Sequence, residues 1–181
     1  MNTDPNTIIT VSRNCDATMI PAGEKIVLIE GTHVRITQSL GGNFTVLVNG
    51  NLVKVSGIDA DALGLENKNI PDTKVPTRLA TKEDIWEAMR QCFDPEIPVN
   101  IVDLGLIYDL KISGSKNKKD INIKMTLTAP GCGMGPSIAK DVETKVLALN
   151  GINSVDVELV WDPQWDRDMM SEEAKLQLGM L

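Results

Sequence analysis

One histidine, three cysteines and 3% aromatic residues are all that these 181 positions hold of the side chains that most often do chemistry. Each shortage removes a class of function. His33 stands in "EGTHVRITQ", a strand-like segment, so a Cys–His hydrolase has no base of its own in the half that carries the best cysteine candidate. No CxxC or HxxxH spacing occurs, which argues against a closed zinc site and against dithiol redox chemistry. Cys15, Cys92 and Cys132 are odd in number and far apart, so reduced thiols are expected rather than a secreted disulfide framework. A formal net charge of -7 offers no sequence-wide positive field for nucleic acid or anionic lipid. No apolar run approaches the roughly 20 residues of a membrane span, and "MNTDPNTIIT" lacks a basic region followed by an apolar stretch. The expectation is a cytoplasmic protein with neither nucleic acid nor membrane as partner.

What is present divides into two unlike halves, with 42% hydrophobic residues, enough for a buried core. From Ile8 to Val55, short β-rich runs such as "KIVLIEG", "HVRITQSL", "NFTVLVNG" and "NLVKVSG" alternate with Gly and Asn turns. Asn49-Gly50 suits a type I′ hairpin, and Gly41-Gly42 or Gly42-Asn43 a second one. About five short strands predict a small all-β, barrel-like domain over 1–65, closed or nearly closed to hide its edges. A polar stretch with Pro71 and Pro76 then predicts a linker over 66–80.

The remainder, 81–181, has another rhythm. Thr81 before "KEDIWEAMRQCF" is a helix cap, with Glu83 or Asp84 available to complete it, and Ile85, Met89 and Cys92 fall on one stripe. "LGLIYDLKIS" and "DINIKMTLT" read as strands around a hairpin loop "GSKNKKD". Pro136 suits a first helical position, and Ile138, Val142, Val146 and Leu149 share a face until Asn150-Gly151. "SVDVELVW" closes as a strand. The order predicts an α+β domain, α-β-β-α-β, with helices packed on a small sheet. In the tail, Ser171 is a candidate cap before Glu172 and Glu173, while Trp161, Trp165, Met169 and Met170 either cover the sheet or meet a partner.

Cys132 lies in "TAPGCGMGPS", among Gly131, Gly133 and Gly135 and just before the second helix of this half. Unsatisfied N–H groups at that helix start favour a thiolate, suited to metal ligation or nucleophilic attack; the alternative is a small residue filling a strand-to-helix turn. A single chain with three scattered cysteines cannot supply the four thiolates of an ordinary iron–sulfur cluster from one loop. Any cluster on Cys132 would be shared with another molecule and labile.

"FDPEIPVNIVDLGLIYDLKI", "MTLTAPGCGMGPSIAKDV" and "VELVWDPQWDRDMMSEEAKLQLGM" resemble the domain of the SufT-type iron–sulfur cluster assembly factors, shared with PaaD-like proteins. The N-terminal half looks like the extra domain of SufT-type proteins. The resemblance implies an accessory factor in maturation of iron–sulfur proteins, not an enzyme, working with SUF scaffold or carrier proteins and client apoproteins. It carries the motif cysteine to Cys132 and the acidic "DPE" motif to Asp94 and Glu96. Those carboxylates, around Pro95, could orient a partner's basic residue, ligate ferrous iron weakly or take the thiol proton; an acidic turn is the plainer reading. Thr126 and Thr128 are expected on one sheet face, Thr128 being the hydroxyl placed to donate to sulfur. Asp103 is expected to bond the backbone of its own turn, Cys15 to end the first strand as a core residue, and Cys92 to be core. A homodimer would supply shared ligands. The competing function is an adaptor that binds scaffold and client without touching metal.

Overall fold

The computed structural model describes residues 7–65 and 78–180. The chain forms two compact units, Met1–Thr73 and Lys74–Leu181. Most of the linker expected over 66–80 lies outside the described residues. Residues 78–80 pack within the second unit: the Ala80 amide donates to the Asn150 carbonyl at 2.8 Å. A Cβ on Gly151 would come within 2.8 Å of Leu79 Cδ2, so closely does that side chain lie.

The first unit is one antiparallel sheet of six strands: β1 (Ile8–Thr10), β2 (Cys15–Ile20), β3 (Lys25–Leu28), β4 (His33–Leu40), β5 (Asn43–Val48) and β6 (Asn51–Val55). Their order is β1-β4-β5-β6-β2-β3, with β1 and β3 outermost among the described strands. The expected closure into a barrel is not among the strand pairings. β2 also corrects the sequence reading, because Cys15 opens this strand rather than ending the first one. Both hairpins form. Val48 pairs with Asn51 across Asn49 (φ 49°) and Gly50 (φ 82°), and Leu40 with Asn43 across Gly41 (φ 57°) and Gly42 (φ 83°). Two consecutive positive φ values make each a type I′ turn, whose twist matches the strands it joins. A 3-10 helix, Gly57–Leu63, packs Ala60, Ala62 and Leu63 into the core with Val46, Val53 and Val55. Arg13 holds it from outside, forking onto Asp61 at 2.6 and 2.7 Å and reaching Asp59 at 2.9 Å.

The second unit follows the expected order. Helix α1 (Lys82–Arg90) starts at a reciprocal capping box, Thr81 and Asp84 each bonding the other's backbone N–H, a device worth about 1 kcal/mol. Strands β7 (Ile107–Ser115) and β8 (Lys118–Met125) are antiparallel, and β9 (Ile152–Leu159) joins β8 in parallel through helix α2 (Gly135–Leu147). The β7–β8 loop is shorter than "GSKNKKD": Ser115 pairs with Lys118, leaving two residues. Alternation buries Ile121, Ile123 and Met125 of β8, while Ile138, Val142 and Val146 repeat on the buried face of α2. Pro136 is the second residue of α2, not the first, a position that equally needs no N–H. A short α3 (Glu172–Gln177) follows in the tail, capped by Ser171 as expected.

Register decides where loops meet. Met125, the last residue of β8, pairs with Ile107, the first of β7, and with Leu159, the last of β9. The segments 93–106, 126–134 and 160–171 therefore all adjoin one end of this sheet.

Candidate functional site

Cys132 sits where two tight turns meet. Its amide donates to the Ala129 carbonyl at 3.4 Å, and its own carbonyl accepts from the Gly135 amide at 3.2 Å. In the first turn Pro130 and Gly131 are the central residues, and Gly131 has φ 77°. That is a type II pattern, with Pro pre-setting one φ and Gly supplying the positive one. Gly131 is needed for conformation alone, since a Cβ there would meet nothing within 4 Å. Gly135 is needed for space. A Cβ on it would come 2.7 Å from Leu127 Cδ1 and 3.2 Å from Leu159 Cδ1, so the start of α2 lies hard against the ends of β8 and β9. Met134, the residue before α2, is buried and offers no side-chain cap, which leaves the first N–H groups of the helix without a side chain from that position.

The thiols differ in access. Cys132 is partly exposed, whereas Cys15 and Cys92 are buried. Burial pushes the Cys15 thiol pKa upward, disfavouring its thiolate. Cys92 points its sulfur at the Ala88 carbonyl one turn back, 3.7 Å away, as a core residue of this helix end.

Asp94 and Glu96 separate in role. Asp94 is 4% exposed and accepts the Glu96 amide at 2.9 Å, an Asx turn that folds the loop after α1. Glu96 is exposed. An isolated bridge between Phe93 and Asn100 closes the loop at its base. Asp103 does not bond backbone N–H groups of its own turn as expected; its carboxylate accepts the Asn100 side-chain amide at 2.6 Å. Asn100 is the cap, accepting from the amides of Val102 and Asp103. The loop ends at Gly105, φ 73°, followed by Leu106 N–H to Ile101 O at 3.0 Å.

The threonines depart from expectation. β8 ends at Met125, and Thr126 and Leu127 are both buried, so the alternation that would put Thr126 and Thr128 on one face stops. Thr126 donates its amide to Leu106 O at 2.8 Å, while its hydroxyl is buried without a hydrogen-bond partner. Thr128 is partly exposed. The structure thus brings the loop bearing Asp94 and Glu96 and the loop bearing Cys132 to one sheet end, joined through Leu106 and Thr126. Among the described residues, no three His, Cys, Asp or Glu side chains are grouped so as to hold a metal ion.

Sequence reasoning missed how far the tail is strapped to this end. Trp165 Nε1 donates to Leu104 O at 2.7 Å, Ser171 N to Asp103 O at 2.8 Å, and Gln177 Nε2 to Pro98 O at 2.8 Å. Tyr108 donates its hydroxyl to Pro163 O at 2.8 Å, with Met169 Sδ 3.5 Å away. The signal in the sequence is the clustering of Trp and Met near a proline, which does not name the groups they reach.

The second unit is a small α+β domain in which three loops adjoin one sheet end, and one of them carries the partly exposed Cys132. The chain belongs to the iron–sulfur cluster assembly protein family, whose profile matches residues 82–159. It is 46% identical over 103 residues to a Porphyromonas gingivalis protein named Fe-S protein maturation auxiliary factor, covering 57% of this chain and 95% of that one. It is 41% identical over 101 residues to the Bacillus subtilis Fe-S protein maturation auxiliary factor YitW, covering 56% and 96%. With the Staphylococcus aureus Fe-S protein maturation auxiliary factor SufT the identity is 40% over 87 residues, covering 48% and 96%. These relatives are matched almost end to end by about half of this chain. They leave no room for a second domain of the size of the first unit.

Among the described residues, no helix is long and apolar enough to cross a membrane.

Proposed function

We propose that this protein is an accessory factor in the maturation of iron–sulfur proteins, acting in the cytoplasm and handling iron or a cluster transiently as cargo through Cys132. The names of its relatives support the process. The single observation that carries the role of Cys132 is its access: it is the one cysteine of the three that is not buried. Its loop supplies soft sulfur but no second thiolate, so the remaining ligands come from a partner, and the cargo is held for transfer rather than storage. SUF scaffold or carrier proteins and client apoproteins are the partners this reading requires. A second copy of the chain is another source of a thiolate. Thr128, Asp94 and Glu96 are assigned supporting positions: Thr128 as a hydroxyl donor in the cysteine loop, Glu96 as an exposed carboxylate facing solvent or partner, and Asp94 as the residue that shapes the loop carrying Glu96. No turnover chemistry is assigned. The stretch 66–80 is assigned as the linker between two domains, 1–65 and 81–181, with its last residues, 78–80, packed on the second.

The test is anaerobic incubation with a cluster-loaded donor, followed by separation and measurement of visible absorption and iron content for wild type and Cys132→Ser. Iron retained by wild type alone supports the assignment. Iron on neither, from a donor shown to load another acceptor, overturns cargo handling and leaves an adaptor. Thiol accessibility gives an independent check. Brief alkylation of the folded protein should modify Cys132 first, with Cys15 and Cys92 reacting after unfolding.

A further inference from the structure

Outside the tail, six of the twelve described carboxylates of the second unit have a cationic partner. Asp84 pairs with Arg78, Glu87 with Arg90, Asp109 with Lys111, Asp141 with Lys145, Glu143 with Lys140 and Glu158 with Lys124. Asp120 and Asp156 accept from Asn153, Ser154 and Asn122. Asp94 and Asp103 accept from the Glu96 amide and the Asn100 side chain, and among the described residues Glu83 and Glu96 complete the set outside the tail. The tail is different. In "WDPQWDRDMMSEE", Asp162, Asp166, Asp168, Glu172 and Glu173 are all exposed, and among the described residues only Glu172 has a cationic partner, Lys175. Arg167 is the one cation within that stretch.

The same stretch shows solvent two of its four large apolar side chains, Trp161 at 45% and Met169 at 36% exposed, while Trp165 is half-buried and Met170 buried. Yet the backbone carrying them is fixed, because Tyr108, Leu104 and Asp103 hold residues 163, 165 and 171 by hydrogen bonds. Pro163 and Met169 meet at the Tyr108 hydroxyl, so the two ends of this irregular stretch lie side by side. Asp166 caps the 3-10 turn at Asp168, and exposed Asp162, Asp168 and Glu173 in one pinned stretch with Trp161 and Met169 have the chemistry of a recognition surface: aromatic and Met contacts supply affinity, the charge selects the partner, and little ordering remains to be done on binding.

We propose that the segment 161–173 is the docking surface for a basic, amphipathic segment of a protein partner, one that places Lys or Arg against Asp162, Asp168 and Glu173 and an apolar side chain against Trp161 and Met169. It leaves the sheet from Leu159, whose β8 partner Met125 leads directly into the cysteine loop, so a partner seated here is held at the end of the sheet that presents Cys132. The surface stands whether or not Cys132 ligates iron.

The experiment titrates the full chain with a synthetic amphipathic peptide of Lys and Leu, followed by tryptophan fluorescence and calorimetry. Three variants are compared with wild type: Asp162→Asn/Asp168→Asn/Glu173→Gln, Trp161→Ala, and a control with the same change of charge in the other unit, Asp16→Asn/Glu24→Gln/Glu30→Gln. The substituted carboxylates and Trp161 lie at the surface, and circular dichroism checks that each variant is folded. The tail triple and Trp161→Ala should each weaken binding about tenfold, and the control triple less than about twofold. Equal losses in the two triples would mean diffuse attraction to an acidic protein. That result, an unchanged affinity for Trp161→Ala, or no binding by wild type up to ~1 mM peptide, overturns the proposal.

Discussion

The amide of Thr126 donates to the carbonyl of Leu106 at 2.8 Å, and this one bond joins the loop that begins at Asp94 to the loop that carries Cys132. It continues the β7–β8 pairing by one rung beyond Ile107 and Met125. Both loops are thereby anchored to the sheet at a shared point while their outer parts remain free to differ.

The Thr126 side chain contributes nothing to that anchor. Its hydroxyl is buried without a partner, a situation that costs roughly 1–3 kcal/mol against a bonded one. Thr126→Val keeps the branched shape and removes the orphaned group. Urea unfolding of this variant should give a stability equal to wild type or higher by up to about 1 kcal/mol. A loss of more than about 1 kcal/mol would show that the hydroxyl has found a partner in solution.

Gly105 sets how closely the tail can approach. Its φ is 73°, and a Cβ on it would run into the Met169 carbonyl, a backbone group held in place by the bonds around it. Gly105→Ala should therefore cost more than the about 1 kcal/mol of a left-handed alanine alone, because the strap must lift as well. Thermal unfolding should show a lowered midpoint, and limited proteolysis should cut within 160–171 faster than in wild type. If cleavage there is unchanged, the tail is held by its other bonds and the close contact is incidental.

How much of this is legible in the sequence follows from the range of each signal. Asn49-Gly50, the Thr81 capping box and the α2 stripe of Ile138, Val142 and Val146 are written in a few neighbouring residues, and all three form. β2 escapes a local reading because Cys15–Ile20 lacks a strong run of branched residues, and its place is decided by pairing with the distant β6 and with β3. Closure of the first sheet is expected from the need to hide edges, but short edge strands such as β1 and β3 are another way to meet that need. At the site, the glycines around Cys132 announce a turn before a helix. Nothing local shows that Asp94 is buried and Glu96 exposed, or that Trp165 reaches the Leu104 carbonyl, since both depend on contacts set by the sheet register.

The first turn of α1 gives a prediction with a definite sign in pH. Asp84 accepts from both terminal nitrogens of the Arg78 guanidinium, at 2.6 and 2.8 Å, and from the Thr81 amide at 2.7 Å. The Arg78 hydrogen bonds are the largest cause, with the Thr81 amide next, and together they hold the Asp84 pKa well below the usual carboxylate range. A carboxylate whose folded pKa is depressed stabilises the fold above its unfolded pKa, about 3.9, and that stabilisation fades as pH falls through the lower folded value. Asp84→Asn retains an acceptor but loses the charge, so it should be less stable than wild type at pH 7. The difference should narrow as the pH drops below about 4, where the carboxylate of the unfolded wild-type chain takes up its proton. Because the pair lies at the surface, with Arg78 exposed and Asp84 only partly buried, the gap at pH 7 should be modest and should shrink further in high salt. Chemical unfolding at a series of pH values measures it. A gap that stays constant from pH 7 to about pH 2 would mean that the variant differs from wild type only in capping geometry, and that the Arg78 pair adds nothing to the start of this helix.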